Sequence, residues 1–124
     1  MKISEVMTTD VETVSAEQTA REAASFMLRA DAGSIPDCEG GRVMGIITDR
    51  DTAVRVVAEG RAPDTPVSQL MSDGIICARE DEDVNTVAQR MSDEQVRRLP
   101  VLDADDKLCG IVSLGDLTRE TTGE

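Results

Sequence analysis

The sequence predicts an α/β (α+β) fold made of two β-α-β-β-α units that pack sheet to sheet with pseudo-two-fold symmetry. Two observations support this fold class: an internal repeat, and the alternation of strand-sized apolar runs with helical apolar faces. The chain has 124 residues, enough for one core or for two half-sized units. A unit of about sixty residues with small side chains is marginal alone, so we expect the two copies to share a core.

The internal repeat has an offset of 64 residues. Its identical pairs are Ser4 and Ser68, Met7 and Met71, Ala24 and Ala88, Met27 and Met91, Pro36 and Pro100. After one inserted residue the offset becomes 65, and it aligns Gly45 with Gly110, Ile46 with Ile111, and Asp51 with Asp116. The repeat predicts two motifs, residues 1–61 and 62–124, joined by a linker at Gly60–Pro66.

The first half of each copy is predicted to be a strand followed by a helix. In the first copy Val11–Val14 has the length of a short strand, and Ser15–Gln18 has the pattern of a capping box. In the second copy, acidic residues at Glu80–Asp83 suit the positive start of a helix. The apolar faces of the two helices recur at helical spacing: Ala20, Ala23, Ala24 and Met27; Val84, Val87, Ala88 and Met91.

The second half of each copy is predicted to be a pair of strands followed by a helix. The predicted strands are Ser34–Cys38, Val43–Thr48, Arg98–Leu102 and Leu108–Ser113. Turns rich in glycine or aspartate separate the strands of each pair, at residues 39–41 and 103–106. The final helices begin near Asp49 and near Leu114.

The composition excludes several classes of function. The net charge is −12, so the chain repels nucleic acid. There is no histidine and only one aromatic residue, which removes the usual general base and the stacking of bases on aromatic rings. The apolar runs are far shorter than the roughly 20 residues of a membrane span, so no membrane role is expected. The acidity leaves two alternatives open, a salt-rich cytosol or an ordinary acidic protein.

The cysteine pattern predicts a cytoplasmic protein. Cys38, Cys77 and Cys109 are widely spaced and form no CxxC pair. An odd number of such residues predicts reduced thiols rather than disulfides, and no zinc site is expected. The first seven residues contain no apolar stretch of the signal-peptide kind, so no signal peptide is expected.

One seven-residue pattern occurs in each copy: a glycine, two apolar residues, a hydroxyl, two variable residues and an aspartate. It spans Gly45–Asp51 and Gly110–Asp116. The hydroxyl falls where a strand ends and a helix starts, and unpaired backbone N–H groups there favour a phosphate. The carboxylate one turn later can accept hydrogen bonds from both hydroxyls of a ribose. The candidate ligand pairs are Thr48 with Asp51 and Ser113 with Asp116.

An ordinary helix cap is the alternative interpretation of this pattern, because Ser/Thr-x-x-Asp also caps helices. A single occurrence favours a cap. Two occurrences at matched places, each after a matched strand, favour a ligand site.

Both segments resemble the strand–helix signature of CBS domains, and the similarity covers essentially the whole chain. Met7, Ile35-Pro36 and Leu99-Pro100 fall where that family has its other landmarks. Residues 48–51 (Thr-Asp-Arg-Asp) and 95–101 (Gln-Val-Arg-Arg-Leu-Pro-Val) have forms common among small stand-alone prokaryotic members. The chain is identified by this resemblance as a tandem CBS pair, a Bateman module.

The resemblance implies a non-enzymatic sensor of an adenosine-containing ligand, bound in a cleft between the two motifs. The implied ligands are AMP, ADP, ATP, S-adenosylmethionine or NAD. The same resemblance assigns phosphate and ribose to the two hydroxyl–carboxylate pairs, and the adenine cleft to Ile46 and Ile111. It places four further residues near the base: Asp10, Glu12, Gly74 and Ile76.

Three arginines are candidates for phosphate contact. Arg97 and Arg98 have guanidinium groups that suit bidentate contact with phosphate, and in related pairs these positions face the phosphates. We expect at least one of the two to do so, since successive strand residues point in opposite directions and the other would face solvent. For Arg50 two alternatives stay open: contact with phosphate, or an ion pair with Asp49 or Asp31.

The first copy departs from the family pattern in ways that make the two sites unequal. It has Gly33 and Ser34 where the second copy has the arginine pair, and Asp37 where the second copy has Val101. Because a buried unpaired carboxylate is costly, we expect Asp37 to face solvent or the cleft, where it would repel phosphate. The Ser113–Asp116 site is therefore expected to suit a polyphosphate better.

The expected partners are the nucleotide, a second copy in a disc-like homodimer, and an effector protein that the sequence does not identify. The dimer is expected because the final helices carry apolar faces: Val54, Val57 and Ala58; Leu114 and Leu117. An interaction scaffold with empty clefts is the alternative function. A nucleotide hydrolase is disfavoured because the sequence has no Walker-type loop, histidine or metal cluster.

Overall fold

The computed structural model of the chain describes residues 1–71 and 75–122, with side chains up to residue 118. The chain divides into two units. Unit 1 contains Met1–Val11 and Ile76–Glu124, and unit 2 contains Glu12–Ile75. Each unit combines a small sheet with helices, which confirms the mixed helix and strand class predicted from the sequence.

Unit 2 is built on a two-stranded antiparallel sheet. Strand β1 covers Ser34–Glu39 and strand β2 covers Arg42–Thr48. Helix α1 (Ala20–Ala30) precedes the sheet. Helix α2 (Asp49–Thr52) follows it and continues directly as a π-helical segment, Ala53–Ala58. The strand bounds differ by one residue at most from the sequence prediction.

Unit 1 is built on a three-stranded sheet. Strands β3 (Ala78–Arg79), β4 (Arg98–Leu102) and β5 (Leu108–Ser113) lie in that order, with β3 parallel and β5 antiparallel to β4. Helix α3 covers Val84–Glu94 and helix α4 covers Leu114–Thr122. The bounds of β4 and β5 match the prediction.

The start of helix α1 differs from the sequence prediction. Its cap is Thr19, whose hydroxyl accepts a hydrogen bond from the Glu22 N–H at 3.2 Å. Ser15 and Gln18 form a separate turn before the helix, in which the Gln18 N–H donates to the Ser15 carbonyl at 3.0 Å. The predicted capping box at 15–18 is therefore wrong, because a second Thr-x-x-Glu pattern follows it. Helix α3 begins as expected, with Asp83 as its cap.

The predicted first strand, Val11–Val14, is also shorter than expected. Only Val14 pairs, through a single parallel bridge to β1. Its N–H donates to the Pro36 carbonyl and its carbonyl accepts from the Cys38 N–H, both at 2.9 Å. Strand β3 is the equivalent of this bridge in unit 1 and is itself two residues long.

Each unit has a buried apolar cluster of its own, and the predicted helix faces contribute to both. In unit 1 the buried cluster is Ile3, Ala78, Val84, Val87, Met91, Leu99, Val101, Val112 and Leu117. In unit 2 it is Val14, Ala20, Ala23, Met27, Ile35, Ile47, Val56, Val67 and Leu70. The two remaining residues of the predicted faces, Ala24 and Ala88, are half-buried.

The two copies of the repeat exchange their first segments. The 3-10 turn Ile3–Glu5 packs in unit 1, where the Ile3 N–H donates to the Glu82 carbonyl at 2.9 Å. The matching turn Val67–Gln69 packs in unit 2, where the Val67 N–H donates to the Gln18 carbonyl at 2.8 Å. The motif boundaries predicted from the repeat, residues 1–61 and 62–124, remain a prediction. Each compact unit contains most of one copy together with the first turn of the other copy.

Asp37 is buried in unit 2, so the expectation that it faces solvent or the cleft is wrong. It is 0% exposed, and neither carboxyl oxygen has a hydrogen-bond partner among the described residues. Burial raises the pKa of the Asp37 carboxyl, and the nearby charges of Glu39 and Glu17 raise it further. Asp37 lies two residues after Ile35, on the same face of β1, and this alternation places it in the core. It occupies the position that Val101 fills in unit 1.

Candidate functional site

The Ser113–Asp116 element lies in unit 1, where β5 ends and α4 begins. The Asp116 N–H donates to Ser113 Oγ at 3.2 Å, and the Ser113 N–H donates to Asp116 Oδ2 at 3.1 Å. Arg98 is directly opposite Ser113 in the β4–β5 ladder, so both side chains leave the same face of the sheet. The Arg97 carbonyl accepts a hydrogen bond from the Leu114 N–H at 2.8 Å. The structure therefore brings the predicted hydroxyl, carboxylate and two arginines to one junction.

The Thr48–Asp51 element has the same backbone geometry in unit 2, where β2 ends and α2 begins. The Asp51 N–H donates to Thr48 Oγ1, and the Thr48 N–H donates to Asp51 Oδ2, both at 3.0 Å. Ser34 is opposite Thr48 in the β1–β2 ladder. The Gly33 carbonyl accepts from the Asp49 N–H at 2.9 Å. Each position of this junction corresponds to one position of the junction in unit 1.

Both elements are reciprocal caps, so the capping interpretation is confirmed at both places. Capping does not exhaust their capacity to bind a ligand. A hydroxyl that accepts one hydrogen bond keeps a proton to donate, and a carboxylate has about four lone-pair sites. The role of these residues in ligand binding stays a prediction.

The two junctions differ in charge. The junction in unit 1 has two arginines and one aspartate, with Arg97 exposed and Arg98 half-buried. The junction in unit 2 has one arginine, Arg50, and two aspartates, Asp49 and Asp51. In the described part of the chain no ion pair links Arg50 to Asp49 or to Asp31. The pairing that the sequence left open for Arg50 is therefore not formed there.

The two predicted adenine-cleft residues occupy matched positions on the returning strands. Ile46 lies opposite Pro36, and Ile111 lies opposite Pro100. Both isoleucines are half-buried. Ile111 also exchanges two backbone hydrogen bonds with Thr8, each 2.8 Å long. Each isoleucine is thus part of an ordered ladder with apolar surface still accessible.

Of the four residues predicted near the base, the three that the structure describes do not all lie in one unit. Asp10 is exposed in unit 1, shortly after the bridge that ties the N-terminal segment to β5. Ile76 is half-buried in the same unit and packs against its apolar cluster. Glu12 is exposed in unit 2. Gly74 lies outside the described residues.

The glycine of each element packs closely against another part of the chain, a role that the sequence did not predict. A Cβ at Gly110 would lie 2.6 Å from Met7 Sδ and 2.9 Å from the Thr8 carbonyl oxygen. A Cβ at Gly45 would lie 2.7 Å from Met71 Sδ. In both units a methionine of the chain itself, Met71 or Met7, lies closest to this glycine. The identity of Met7 and Met71 in the repeat was the available signal.

Over the part of the chain that the structure describes, no group of three or more Cys, Asp or Glu side chains is placed to hold a metal ion. None of the helices described is long and apolar enough to cross a membrane.

The chain belongs to the CBS domain family. The family model matches it twice, at residues 3–56 and 67–123. These two ranges include both hydroxyl–carboxylate elements, which confirms the family resemblance found in the sequence.

A curated relative and two solved structures support this assignment. The CBS domain-containing protein YhcV of Bacillus subtilis is 44% identical over 115 residues, which is 93% of this chain and 81% of YhcV. The CBS domain pair of the protein MJ0100, in complex with 5′-methylthioadenosine and S-adenosyl-L-methionine, is 27% identical with a TM-score of 0.87, covering 99% of this chain and 97% of that one. The structure of CBSX2 in complex with AMP is 22% identical with a TM-score of 0.87, covering 98% and 96%, and shows the likeness of fold alone.

Proposed function

We propose that this protein is a regulatory, non-catalytic module that binds adenosine-containing ligands at its two hydroxyl–carboxylate elements. The observation that carries the proposal is the duplicated junction, with Ser113 and Asp116 beside Arg98 in one unit and Thr48 with Asp51 in the other. The family assignment and the adenosine ligands of the MJ0100 pair support it.

Each group at the junction has a defined task in this proposal. The serine or threonine hydroxyl donates to the substituent on the ligand's 5′ carbon, and the aspartate accepts from the ribose hydroxyls. Ile46 and Ile111 offer apolar surface to the adenine. At the junction in unit 1 the guanidinium groups of Arg97 and Arg98 neutralise phosphate, so AMP, ADP and ATP suit that element.

The binding of a ligand would act on the protein by shifting its conformational equilibrium. A ligand favours whichever conformation it binds more tightly, and a separate effector protein would read the change. We infer a homodimer and a cytoplasmic location as part of this proposal. The apolar side chains of Leu28, Val54 and Val57 are exposed on helices of unit 2, with Val57 at 77%. Leu117, which the sequence assigned to the dimer face, is only 1% exposed and belongs to the core of unit 1.

Isothermal titration calorimetry tests the proposal directly. The full chain is titrated with AMP, ATP, S-adenosylmethionine, 5′-methylthioadenosine and NAD, with guanosine monophosphate as the control. We expect binding of at least one adenosine compound in the micromolar range, about −6 to −8 kcal/mol, because open sites with few aromatic contacts limit the affinity. Heats indistinguishable from dilution for every adenosine compound up to millimolar concentration would reject the function.

A protein-interaction scaffold with no small ligand is the second candidate. One observation favours it: both hydroxyl–carboxylate pairs already complete reciprocal caps, and a cap needs no ligand. The same titration separates the two candidates, since a scaffold would give no heat with any of the adenosine compounds.

A further inference from the structure

The carboxylate of Asp49 lies beside Gly33, the residue that corresponds to Arg97 in the other unit. Gly33 and Arg97 occupy the same place, since the carbonyl of each accepts the first N–H of the following helix. An ideal Cβ built on Gly33 would lie 3.3 Å from Asp49 Oδ2. Gly33 does not have the positive φ that would require glycine. What a side chain at this position would meet is the Asp49 carboxylate.

The equivalent of Asp49 in unit 1 is Leu114, an uncharged residue. The two neighbouring positions therefore differ together between the units. Unit 1 has Arg97 with Leu114, whereas unit 2 has Gly33 with Asp49. Asp49 is exposed, and no ion pair or side-chain hydrogen bond with another described residue neutralises it. Arg50 supplies one cation, at the position that Gly115 occupies in unit 1.

We propose that Asp49 makes the Thr48–Asp51 element a site for adenosine compounds that lack a phosphate and whose 5′ substituent is neutral or cationic. This inference rests on the proposed function, because it assumes that the element binds adenosine. A carboxylate at the junction repels a phosphate dianion and attracts a cation, and it leaves a neutral thioether almost unaffected. The Ser113–Asp116 element, with two arginines and no extra carboxylate, takes the phosphorylated ligands.

The test isolates the element in unit 2 and then removes the single charge. Asp116→Asn serves as the background, because it weakens ribose recognition at the other element while the side-chain oxygen can still cap α4. In this background, Asp49→Asn removes the charge with little change of shape. Asp64→Asn, on an exposed aspartate of the linker in the same unit, is the matched control for net charge.

Calorimetry of each variant uses AMP and 5′-methylthioadenosine at low and high salt. We expect the background protein to bind 5′-methylthioadenosine roughly tenfold more tightly than AMP, the order of magnitude of one charge contact that is fully exposed to water. Asp49→Asn should raise the affinity for AMP roughly tenfold and leave the affinity for 5′-methylthioadenosine unchanged. Most of the gain for AMP should disappear at high salt, because salt screens the charge. Asp64→Asn should change neither affinity.

The reciprocal substitution keeps the proposal testable if the first variant folds poorly. Leu114→Asp, introduced into the wild-type chain at a position that is 40% exposed, should weaken AMP at the Ser113–Asp116 element roughly tenfold. Equal changes for AMP and 5′-methylthioadenosine in Asp49→Asn, or a background protein that prefers AMP, would overturn the inference while the proposed function stands. Failure of every adenosine compound to bind the wild-type chain would overturn both.

Discussion

Met7 Sδ lies 2.6 Å from the position that a Cβ would take at Gly110. The Thr8 carbonyl oxygen is 2.9 Å from the same point, so the crowding includes backbone as well as a side chain. The matching glycine in unit 2, Gly45, is crowded only by the side chain of Met71. This difference between two otherwise equivalent glycines gives the first prediction.

Gly110→Ala should destabilise the protein by about 1–3 kcal/mol, because an added methyl group must displace the backbone at Thr8. Gly45→Ala should cost less, because the Met71 side chain is flexible and can move away. Urea unfolding of the two variants compares them directly. Equal losses would show that the close approach of Thr8 is relieved at no cost.

Asp37→Val should stabilise the protein at neutral pH by about 1–3 kcal/mol, since it removes a buried carboxyl group with no hydrogen-bond partner. Unit 1 already carries valine at this place, Val101, and buries it completely. Asp37→Asn is the control, because it removes the charge without supplying an apolar side chain. Chemical denaturation at pH 7 measures both, and a loss of stability in Asp37→Val would show that the carboxyl group has a partner in solution.

The same residue predicts a pH dependence of stability. The folded-state pKa of Asp37 is raised above its unfolded value by burial, so the folded protein holds the proton more tightly than the unfolded chain. Below the unfolded pKa, about 4, the carboxyl group is protonated in both states and adds no pH dependence to the free energy of unfolding. As the pH rises from there towards the folded pKa, the wild type should lose stability relative to Asp37→Asn. A stability difference that stays constant from pH 3.5 to 8 would contradict this.

Asp116→Asn should weaken the binding of adenosine ligands by about 1–3 kcal/mol, through the loss of charge-assisted hydrogen bonds to ribose. Asparagine can still accept the hydrogen bond from the Ser113 N–H, so the cap and the melting temperature should be nearly retained. Asp116→Ala removes both functions and should lower stability as well. A fall in melting temperature with unchanged affinity in Asp116→Ala would reduce Asp116 to a helix cap.

Arg98→Ala or Arg97→Ala should weaken the binding of ATP more than that of AMP, by on the order of 1 kcal/mol, because each added phosphate raises the ligand charge. The cost should shrink at high salt, where screening shortens the reach of the charge. Arg42→Ala is the matched control: Arg42 is exposed and lies at the start of β2, the opposite end from Thr48. Titrations with both nucleotides at two salt concentrations test this prediction. Equal losses of affinity for AMP and ATP would show that the arginines do not contact the phosphates.

Val57→Glu should prevent the proposed homodimer, since it places a charge on the most exposed valine of the π-helical segment. Met44→Glu, on strand β2 and 55% exposed, is the control substitution. Light scattering should give about twice the chain mass of 13.3 kDa for the wild type and the control, and the single-chain mass for Val57→Glu. A wild type that is monomeric at all micromolar concentrations would disprove the dimer.

The strands and the helix faces could be predicted because they follow from the local spacing of apolar residues along the chain. Strand β4 covers the stretch in which Leu99 and Val101 recur every second residue and are buried. Helix α3 buries the apolar face that was predicted from the helical spacing of its residues. The start of α1 was mispredicted because two capping patterns follow each other, and only packing decides between them.

Three further features could not be predicted correctly from the sequence, each for a different reason. The burial of Asp37 was visible in the strand alternation, but the energetic cost of a buried carboxyl group argued for the opposite placement. The exchange of first segments leaves no trace in periodicity, since Ile3 and Val67 would look the same if each packed within its own copy. The role of Asp49 depended on its distance from Gly33, which no spacing along the chain reveals.

The exchange of first segments also predicts an order of folding for the two units. Unit 2 is continuous, so its contacts close within Glu12–Ile75. Unit 1 must join Met1–Val11 to strands that follow the whole of unit 2, which is a far longer loop and carries a larger entropy of closure. Contacts over longer separations form more slowly, so the folding of unit 2 should precede and shorten the search that unit 1 has to make.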